Sequence, residues 1–587
     1  MSASPRTPNP PHRLDLVALA LTPWMILAQG HRFGVGNHDT LLSFIRRINN
    51  PTYIVNDWML GTPPVHPQVL GLMAAMVTRL GEPVAFLVAH VGTRLLLLMG
   101  VWRLAMALVA GRVWVAVAAM VMVFFEPRLQ VGAHYLQGGH WEPAFLGMAF
   151  AVWMVALGTE FLQGRAHWIT VAIFSGLGIF SHLFICGPVF FCFCVAVVLT
   201  RNWSSDFWKM AAAVLFIGSP SWASAAWGFF FPGNSPLSGQ EVIQLLQFRH
   251  PHHHQPWTWP VPDIIQQMIV VGSGFWVLRR REGSRPAWIF AAVLLVYFLI
   301  TCMLFWVLGR LQMVPILAYL QPFRLGSLLM LMGGVGLLGV VAEFLRERGW
   351  KDHWILAIAL PVFVAARAGL PALAGLVIIL LRGGEEREER PPKFPVMLLR
   401  FIAALGVVGI IVVQSSDFVR DAANGIRRNY WLHRVAVAER SREELAAWVQ
   451  FNTNPDSLFA IPPQMERFRI LERRAILVDF KNVPYRNEDL RDWAQRVKLV
   501  TGIDPYERFT SVPSGDPPIA QLLQAANTLN ADYVVVRDRV DHPLMTFRNE
   551  EFTVLDLSLQ EDRQVPWIPP VPAAPRGSGG PVSVPRR

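Results

Sequence analysis

Runs of about 20 apolar residues, each the length needed to cross roughly 30 Å of hydrocarbon as a helix, recur along most of this chain. Candidate cores are Leu14 to Gly30, Pro83 to Ala110, Val113 to Phe125, Pro143 to Leu162, Trp168 to Cys186, Val189 to Leu199 and Met210 to Phe230. Further cores follow at Val261 to Leu278, Trp288 to Leu308, Leu325 to Phe344, a folded pair from Trp354 to Leu381, and Val396 to Val413. That pattern predicts an α-helical polytopic membrane protein with about 13 transmembrane helices. Composition agrees: 53% of the 587 residues are hydrophobic and 16% are charged, where soluble domains carry about 25%. Mean hydropathy is +0.37. The 22 Trp gather near block ends, where indole prefers the headgroup region. All four cysteines, Cys186, Cys192, Cys194 and Cys302, lie inside apolar blocks, so they read as small buried hydrophobes rather than disulfide partners.

Lysine and arginine set the expected orientation. Arg6 and Arg13 precede the first core, and no small-x-small cleavage site follows, which reads as a retained signal anchor with a cytoplasmic N-terminus. Alternation then puts Arg103, Arg112, Arg165, Arg201, Lys209, "RRREGSR" from Arg279, "RERGWK" from Arg346 and "RGGEEREERPPK" from Arg382 on the cytoplasmic side. The loops 30–82, 126–142, 232–260 and 309–324, the turn at Gly187, and everything after Gln414 face out. The net charge of +11 is thus explained by topology, and no nucleic-acid partner is expected. The expected address is a membrane, with the N-terminus on its cytoplasmic side.

Three regions follow: a transmembrane domain over 1–414, a periplasmic α/β domain over 415–563, and a disordered Pro/Gly-rich tail over 564–587. In the second, "SLFAIP", "AILVDF", "ADYVVVRD" and "FTVLDL" read as strands, and "NEDLRDWAQRVKLV" and "PIAQLLQAANTLN" as helices. It contains no nucleophile elbow, P-loop or GxGxxG. Its Arg467, Arg469, Arg473 and Arg474 read as exposed charges or as a cover for the membrane cavity.

The outward loops carry the ionisable groups. "VGNHDTLLSFIRRINN" sets Leu41, Leu42, Ile45 and Ile48 on one face of an interfacial helix, with Asp39 where an N-cap would stand. Asp57 follows, ahead of the Pro-rich turn in "GTPPVHPQVL". Glu142 ends "HYLQGGHWEP", beside His140 and Trp141, and is either a site residue or a cap for the helix beginning at Pro143. A carboxylate within hydrogen-bond reach of a nucleophile can serve as its base. Asp39 and Asp57 are the first candidates, and Glu142 is the third. Arg324 in "LQPFRLGS" and then Arg310 suit a phosphate, because a planar guanidinium matches phosphate oxygens; simple snorkelling is the alternative.

"QFRHPHHHQPWTWP" concentrates His250, His252, His253 and His254. These imidazoles contact phosphate or sugar, or bind a divalent metal, for which His252 and His254 are the candidates, or are structural. Consecutive histidines in an extended loop cannot all face one ion. His182, in "IFSHLFIC", is costly in hydrocarbon and is expected to face the bundle interior or a cavity.

The first span, the acidic outer loop, the amphipathic juxtamembrane helix and the Pro-Pro turn resemble the GT-C membrane glycosyltransferases, with residue-level likeness in "GNHDTLLSFIRRI" and "GTPPVHPQVL". The chain also resembles bacterial membrane proteins of unknown function with an Asn-His in this loop and a later His-rich loop. The GT-C resemblance implies a hexosyl- or pentosyltransferase using a polyprenyl-phosphate-linked sugar donor, with its tail among membrane lipids and a glycan, lipid or protein acceptor. It places Asn37, His38 and Asp39 at the acidic position of the family. Adjacent acidic residues, common there, are replaced here by Asn37 and His38, and the oligosaccharyltransferase Trp-Trp-Asp signature is absent. The competing expectation is a non-catalytic transporter of lipid-linked sugar or an envelope-assembly subunit on the same scaffold.

Overall fold

A computed structural model describes residues 15–29, 31–34, 36–64, 66–109, 113–125, 140–230, 237–249, 255–280, 285–309, 322–348, 430–431, 440–484, 486–507, 512–513 and 515–559. The expected spans at Trp354 to Leu381 and Val396 to Val413 lie outside these residues, as does the tail.

The chain opens with α1 (Asp15–Gln29), a two-residue strand β1 (His31–Arg32), α2 (His38–Asn49) and α3 (Pro67–Leu80). The helical bundle follows: α4 (Glu82–Leu108), α5 (Val113–Phe125), α6 (Pro143–Leu162), α7 (Trp168–Ser181), α8 (Leu183–Thr200), α9 (Ser205–Ile217), α10 (Ser219–Phe230), α11 (Gly239–Arg249), α12 (Val261–Arg280), α13 (Arg285–Leu304) and α14 (Leu325–Arg348). Among the described residues five helices are long and apolar enough to cross a membrane: α4, α6, α8, α12 and α13. The protein is a multi-pass, mostly helical membrane protein.

α4 and α6 form the centre, with Leu97, Val101, Ala105, Val152 and Ala156 in one apolar core. Close helix approach depends on small residues. On α12, a Cβ at Gly274 would run into the backbone of Gly333 on α14, so the two helices meet backbone to backbone.

Two expected spans are placed differently. The turn foreseen at Gly187 falls at His182, between α7 and α8, while Gly187 and Pro188 are helical. This takes the imidazole to the helix ends, where it meets Arg324, instead of leaving it among lipid tails. The block from Met210 to Phe230 is broken at Gly218, where a Cβ would press on Ile179 of α7.

After β2 (Tyr430–Trp431), which pairs in parallel with β1, come α15 (Arg440–Asn452), β3 (Leu458–Ala460), α16 (Phe468–Leu471), β4 (Ala475–Ile476), α17 (Asn487–Thr501), α18 (Ile519–Thr528), β5 (Tyr533–Val536), β6 (Met545–Arg548) and β7 (Thr553–Asp556). The order is β4-β3-β5-β7-β6, with β4, β3 and β5 parallel and β7 antiparallel to both neighbours. Trp493, Val497, Leu522 and Val534 pack one side; Leu445, Val449, Phe459 and Phe468 pack the other. A third core joins this region to the first loop, since Ile45, Met59 and Leu70 pack with Ile470 and Ala475.

Candidate functional site

The loop before α2 is bent by two glycines with positive φ, Gly34 at 75° and Gly36 at 59°. A Cβ on Gly36 would come within 2.5 Å of the His140 ring. The Gly34 N–H donates to His38 Nδ1 at 2.9 Å, so His38 carries its proton on Nε2 and donates it to the Trp141 carbonyl at 2.8 Å. Burial, aided by His140, holds His38 well below the ordinary imidazole range. His38 is therefore a neutral pin between the first loop and residues 140–142, with both nitrogens occupied.

That pin brings Asn37 to Glu142. Glu142 is the N-cap residue of α6, yet its side chain does not cap the helix. It accepts from Asn37 Nδ2 instead and lies 3.7 Å from His140 Nε2. Burial alone would raise its pKa, but His140, Arg324 and Asn37 together outweigh that and hold the carboxyl below its usual 4.5. The positive end of α6 acts in the same direction. Arg324, at the start of α14, brings Nη1 to 3.4 Å from His182 Nε2. His182 stacks in a tilted geometry on His66, ring centroids 4.3 Å apart, in the space that Gly147 of α6 leaves by having no Cβ. His66 has φ 57° immediately before Pro67, and burial with Arg324 nearby pushes it down to about 4.

Asn37, His38, His140, Glu142, His182 and Arg324 thus come together, with His66 as a member the sequence reading did not single out. Its signal was a His directly ahead of the helix-starting Pro in "VHPQ".

The three carboxylates expected to share one cavity divide: Glu142 is held by Asn37 and His140, whereas Asp39 and Asp57 both act on Arg469. Asp57 is fully buried against the sheet region: its Oδ2 accepts from Arg469 Nε at 2.8 Å and from the Ile476 N–H at 3.2 Å, and its Oδ1 accepts from the Leu60 N–H at 3.1 Å. Arg469 also binds Asp479, which Asn482 holds from its backbone and side chain. Asp39, foreseen as an N-cap, lies inside the first turn of α2, and Asn37 takes the cap position. The Asp39 carboxylate accepts from the Arg467 backbone N–H and faces Asp479, Arg469 and Lys481. Burial first, then Asp479, raise it to about 6.

Two arginines read as exposed are buried. Arg469 is neutralised by Asp57 and Asp479, and Arg474 donates to the carbonyls of Val449, Gln450 and Thr453. The spans also hold ionisable groups. His90 and Arg94 of α4 are buried four residues apart, and Arg94 Nε donates to His90 Nε2 at 3.0 Å. An i, i+4 His-Arg pair inside an apolar run was the available signal. His250, His252, His253, His254 and Arg310 lie outside the described residues. Among the described residues no group of three His, Cys, Asp or Glu could hold a metal ion.

A family model described as a domain of unknown function, DUF6798, matches residues 440–500, the segment that contains Arg469, Asp479 and Trp493. No curated protein matches the chain. Two crystal structures of ArnT from Cupriavidus metallidurans are similar to it at 14% identity. The one bound to undecaprenyl phosphate covers 92% of this chain and 97% of its own at a TM-score of 0.41, and the apo form covers 92% and 96% at 0.40.

Proposed function

We propose that this protein is a membrane glycosyltransferase moving a hexosyl or pentosyl group from a polyprenyl-phosphate-linked donor to an acceptor on the periplasmic side of a bacterial inner membrane, with Glu142 as the base. The observation that carries this reading is one carboxylate kept ionised by Asn37 and His140 and set in the field of Arg324, at the ends of apolar helices. A base and a phosphate-binding cation side by side are what displacement at a phosphorylated anomeric carbon requires.

The acceptor gives its hydroxyl or amide proton to Glu142 while its lone pair attacks the anomeric carbon. The bond from that carbon to the phosphate oxygen breaks, and its electron pair leaves on the phosphate. Arg324 balances the growing charge, and neutral His66 and His182 offer N–H groups beside it. The polyprenyl tail lies along the apolar helices. Asp57 serves to dock the first loop on the sheet region, and Asp39 sits between that dock and Asn37.

The outward placement follows from the lysine and arginine clusters, with 1–414 as the membrane domain and 415–563 as the periplasmic one. Transfer of labelled sugar from polyprenyl-phosphate donors by purified protein tests the reading. Glu142→Gln and Arg324→Ala should abolish transfer, and Asp57→Asn should not. Transfer unaffected by Glu142→Gln removes this base, and no transfer from any donor returns the chain to a carrier or assembly role.

A further inference from the structure

Asn37 and Arg46 stand toward opposite ends of α2, and each meets the start of a different central helix. Asn37 is the N-cap residue of α2, but its side chain makes no cap bond and donates instead to Glu142, the N-cap residue of α6. Arg46, in the last turn of α2, binds Glu82, the first residue of α4, with Nε donating to Oε1 at 2.7 Å and Nη2 to Oε2 at 2.8 Å. The helix between them is unbroken. The Leu41 N–H donates to the Asn37 carbonyl at 3.0 Å, and the Asn50 N–H to the Arg46 carbonyl at 2.7 Å. α2 is therefore a strut laid across the N-terminal ends of α4 and α6, which share one core.

The same guanidinium reaches the sheet region. Its Nη1 donates to the Ile470 carbonyl of α16 at 3.0 Å and to the Tyr53 hydroxyl at 3.1 Å, and that hydroxyl donates to the Arg469 carbonyl at 2.6 Å. A planar fork can hold a carboxylate on one edge and a carbonyl on another, which a single ammonium cannot do as rigidly. The pair is mostly buried, with Arg46 13% and Glu82 25% exposed. Nine residues of helix set Arg46 about 13 Å along the axis from Asn37, beyond the screening length of about 8 Å at physiological salt. Asn37, in contrast, touches Glu142 and helps to hold its carboxyl below 4.5. The route from Arg46 to Glu142 is therefore α2 itself.

We propose that Arg46 is a positioning residue: by gripping Glu82 and the Ile470 carbonyl together, it fixes α2 and so sets Asn37 against Glu142. The sheet region thereby shares in aligning the base. This rests on the glycosyltransferase reading for the role of Glu142, and it adds what holds that base in place.

The test uses full-length protein in nanodiscs with 13C-labelled glutamate carboxyls, the Glu142 signal being the one lost in Glu142→Gln. In Arg46→Gln the Glu142 midpoint should rise by about half a pH unit or more as the Asn37 contact loosens. Sugar transfer should lose about tenfold or more in kcat, with KM for the donor within about twofold of wild type. Arg47→Gln is the control for general loosening, because Arg47 donates within the loop, to the Tyr53 carbonyl at 2.9 Å, and its loss should leave the midpoint in place. Arg46→Lys keeps the charge without the fork, so its midpoint should lie closer to that of Arg46→Gln than to wild type. Where Arg46→Gln does not fold, Tyr53→Phe removes the hydroxyl between the guanidinium and the Arg469 carbonyl and should raise the midpoint in the same direction. A Glu142 midpoint unmoved in whichever of these variants folds overturns the proposal. So does an equal rise in Arg47→Gln, or full restoration by Arg46→Lys. The glycosyltransferase reading fails separately, when wild-type protein transfers no sugar, and the carboxyl titration decides the role of Arg46 in either case.

Discussion

Arg469 and Asp57 stand 412 residues apart in the chain and meet as a buried ion pair, with Nε donating to Oδ2 at 2.8 Å. Because Asp479 binds the same guanidinium, the first loop and the sheet region share one neutralised centre. Asp57→Ala leaves Arg469 paired with Asp479 but strands the buried Leu60 and Ile476 N–H groups without their acceptor, a change that costs about 1–3 kcal/mol for each. Thermal unfolding in detergent and proteolysis of residues 440–559 should show the loss. Transfer per folded molecule should stay within a few-fold of wild type. A stable Asp57→Ala protein with no activity would show instead that Asp57 takes part in the chemistry.

The pH dependence of transfer separates the two remaining carboxylates. A base works only when ionised, and Glu142 is held below 4.5 whereas Asp39 is raised to about 6. With Glu142 as the base, kcat/KM stays level down to pH 5 and its acid limb falls below 4.5. Glu142→Gln should lower kcat by about 100-fold or more. An acid limb centred near 6 would assign the proton transfer to Asp39.

Asp39 also makes a prediction for stability. Its pKa is raised from 3.8 to about 6 in the folded protein, so between those values the folded state holds a proton that the unfolded state has lost. Stability from this group is therefore highest below pH 3.8, declines as pH rises toward 6, and is lost above it. At about 1.4 kcal/mol per unit the penalty at pH 7 is on the order of 2–3 kcal/mol. Asp39→Asn should raise the midpoint of chemical denaturation at pH 7 and have little effect at pH 4. An equal effect at both pH values would mean that the gain does not come from removing a buried charge.

The helices were legible because a bilayer leaves so little choice: Pro143–Leu162 and Val113–Phe125 are bounded in the structure as their apolar runs are in the sequence. Strands β3, β5 and β7 were legible as short apolar runs, whereas β6, "MTFR", alternates over only four residues and has neither face buried. The site was half legible. Glu142, His140 and Arg324 announced themselves as charged groups beside apolar blocks. His66 and the Arg469 pairing did not, since each depends on partners remote in sequence, His182 beside His66 and Asp57 beside Arg469. A pattern read along the chain finds which faces are buried but not which two buried charges will cancel.

Gly36 tests how tightly the loop is set. A methyl group there meets His140 Nε2 at 2.5 Å, and the left-handed φ of 59° costs a non-glycine residue about 1–2 kcal/mol. Gly36→Ala should displace His140 from Glu142 and lower transfer by tenfold or more with only a small fall in melting temperature. If activity and stability fall in proportion, the loop contributes to folding alone.

Arg324 is the proposed cation for the donor phosphate. It approaches His182 Nε2 at 3.4 Å and its charge reaches His66 and Glu142, so its removal should act twice. Affinity for undecaprenyl phosphate, measured by titration into nanodiscs, should weaken at least tenfold in Arg324→Ala, as expected for a lost charge-assisted contact. His66, relieved of the adjacent cation, should titrate above its present value of about 4, with burial still holding it below 6.5. Arg324→Lys keeps the charge but not the planar fork, so it should restore the His66 titration without restoring lipid affinity. Full recovery of affinity in the lysine variant would mean that the site uses only a point charge.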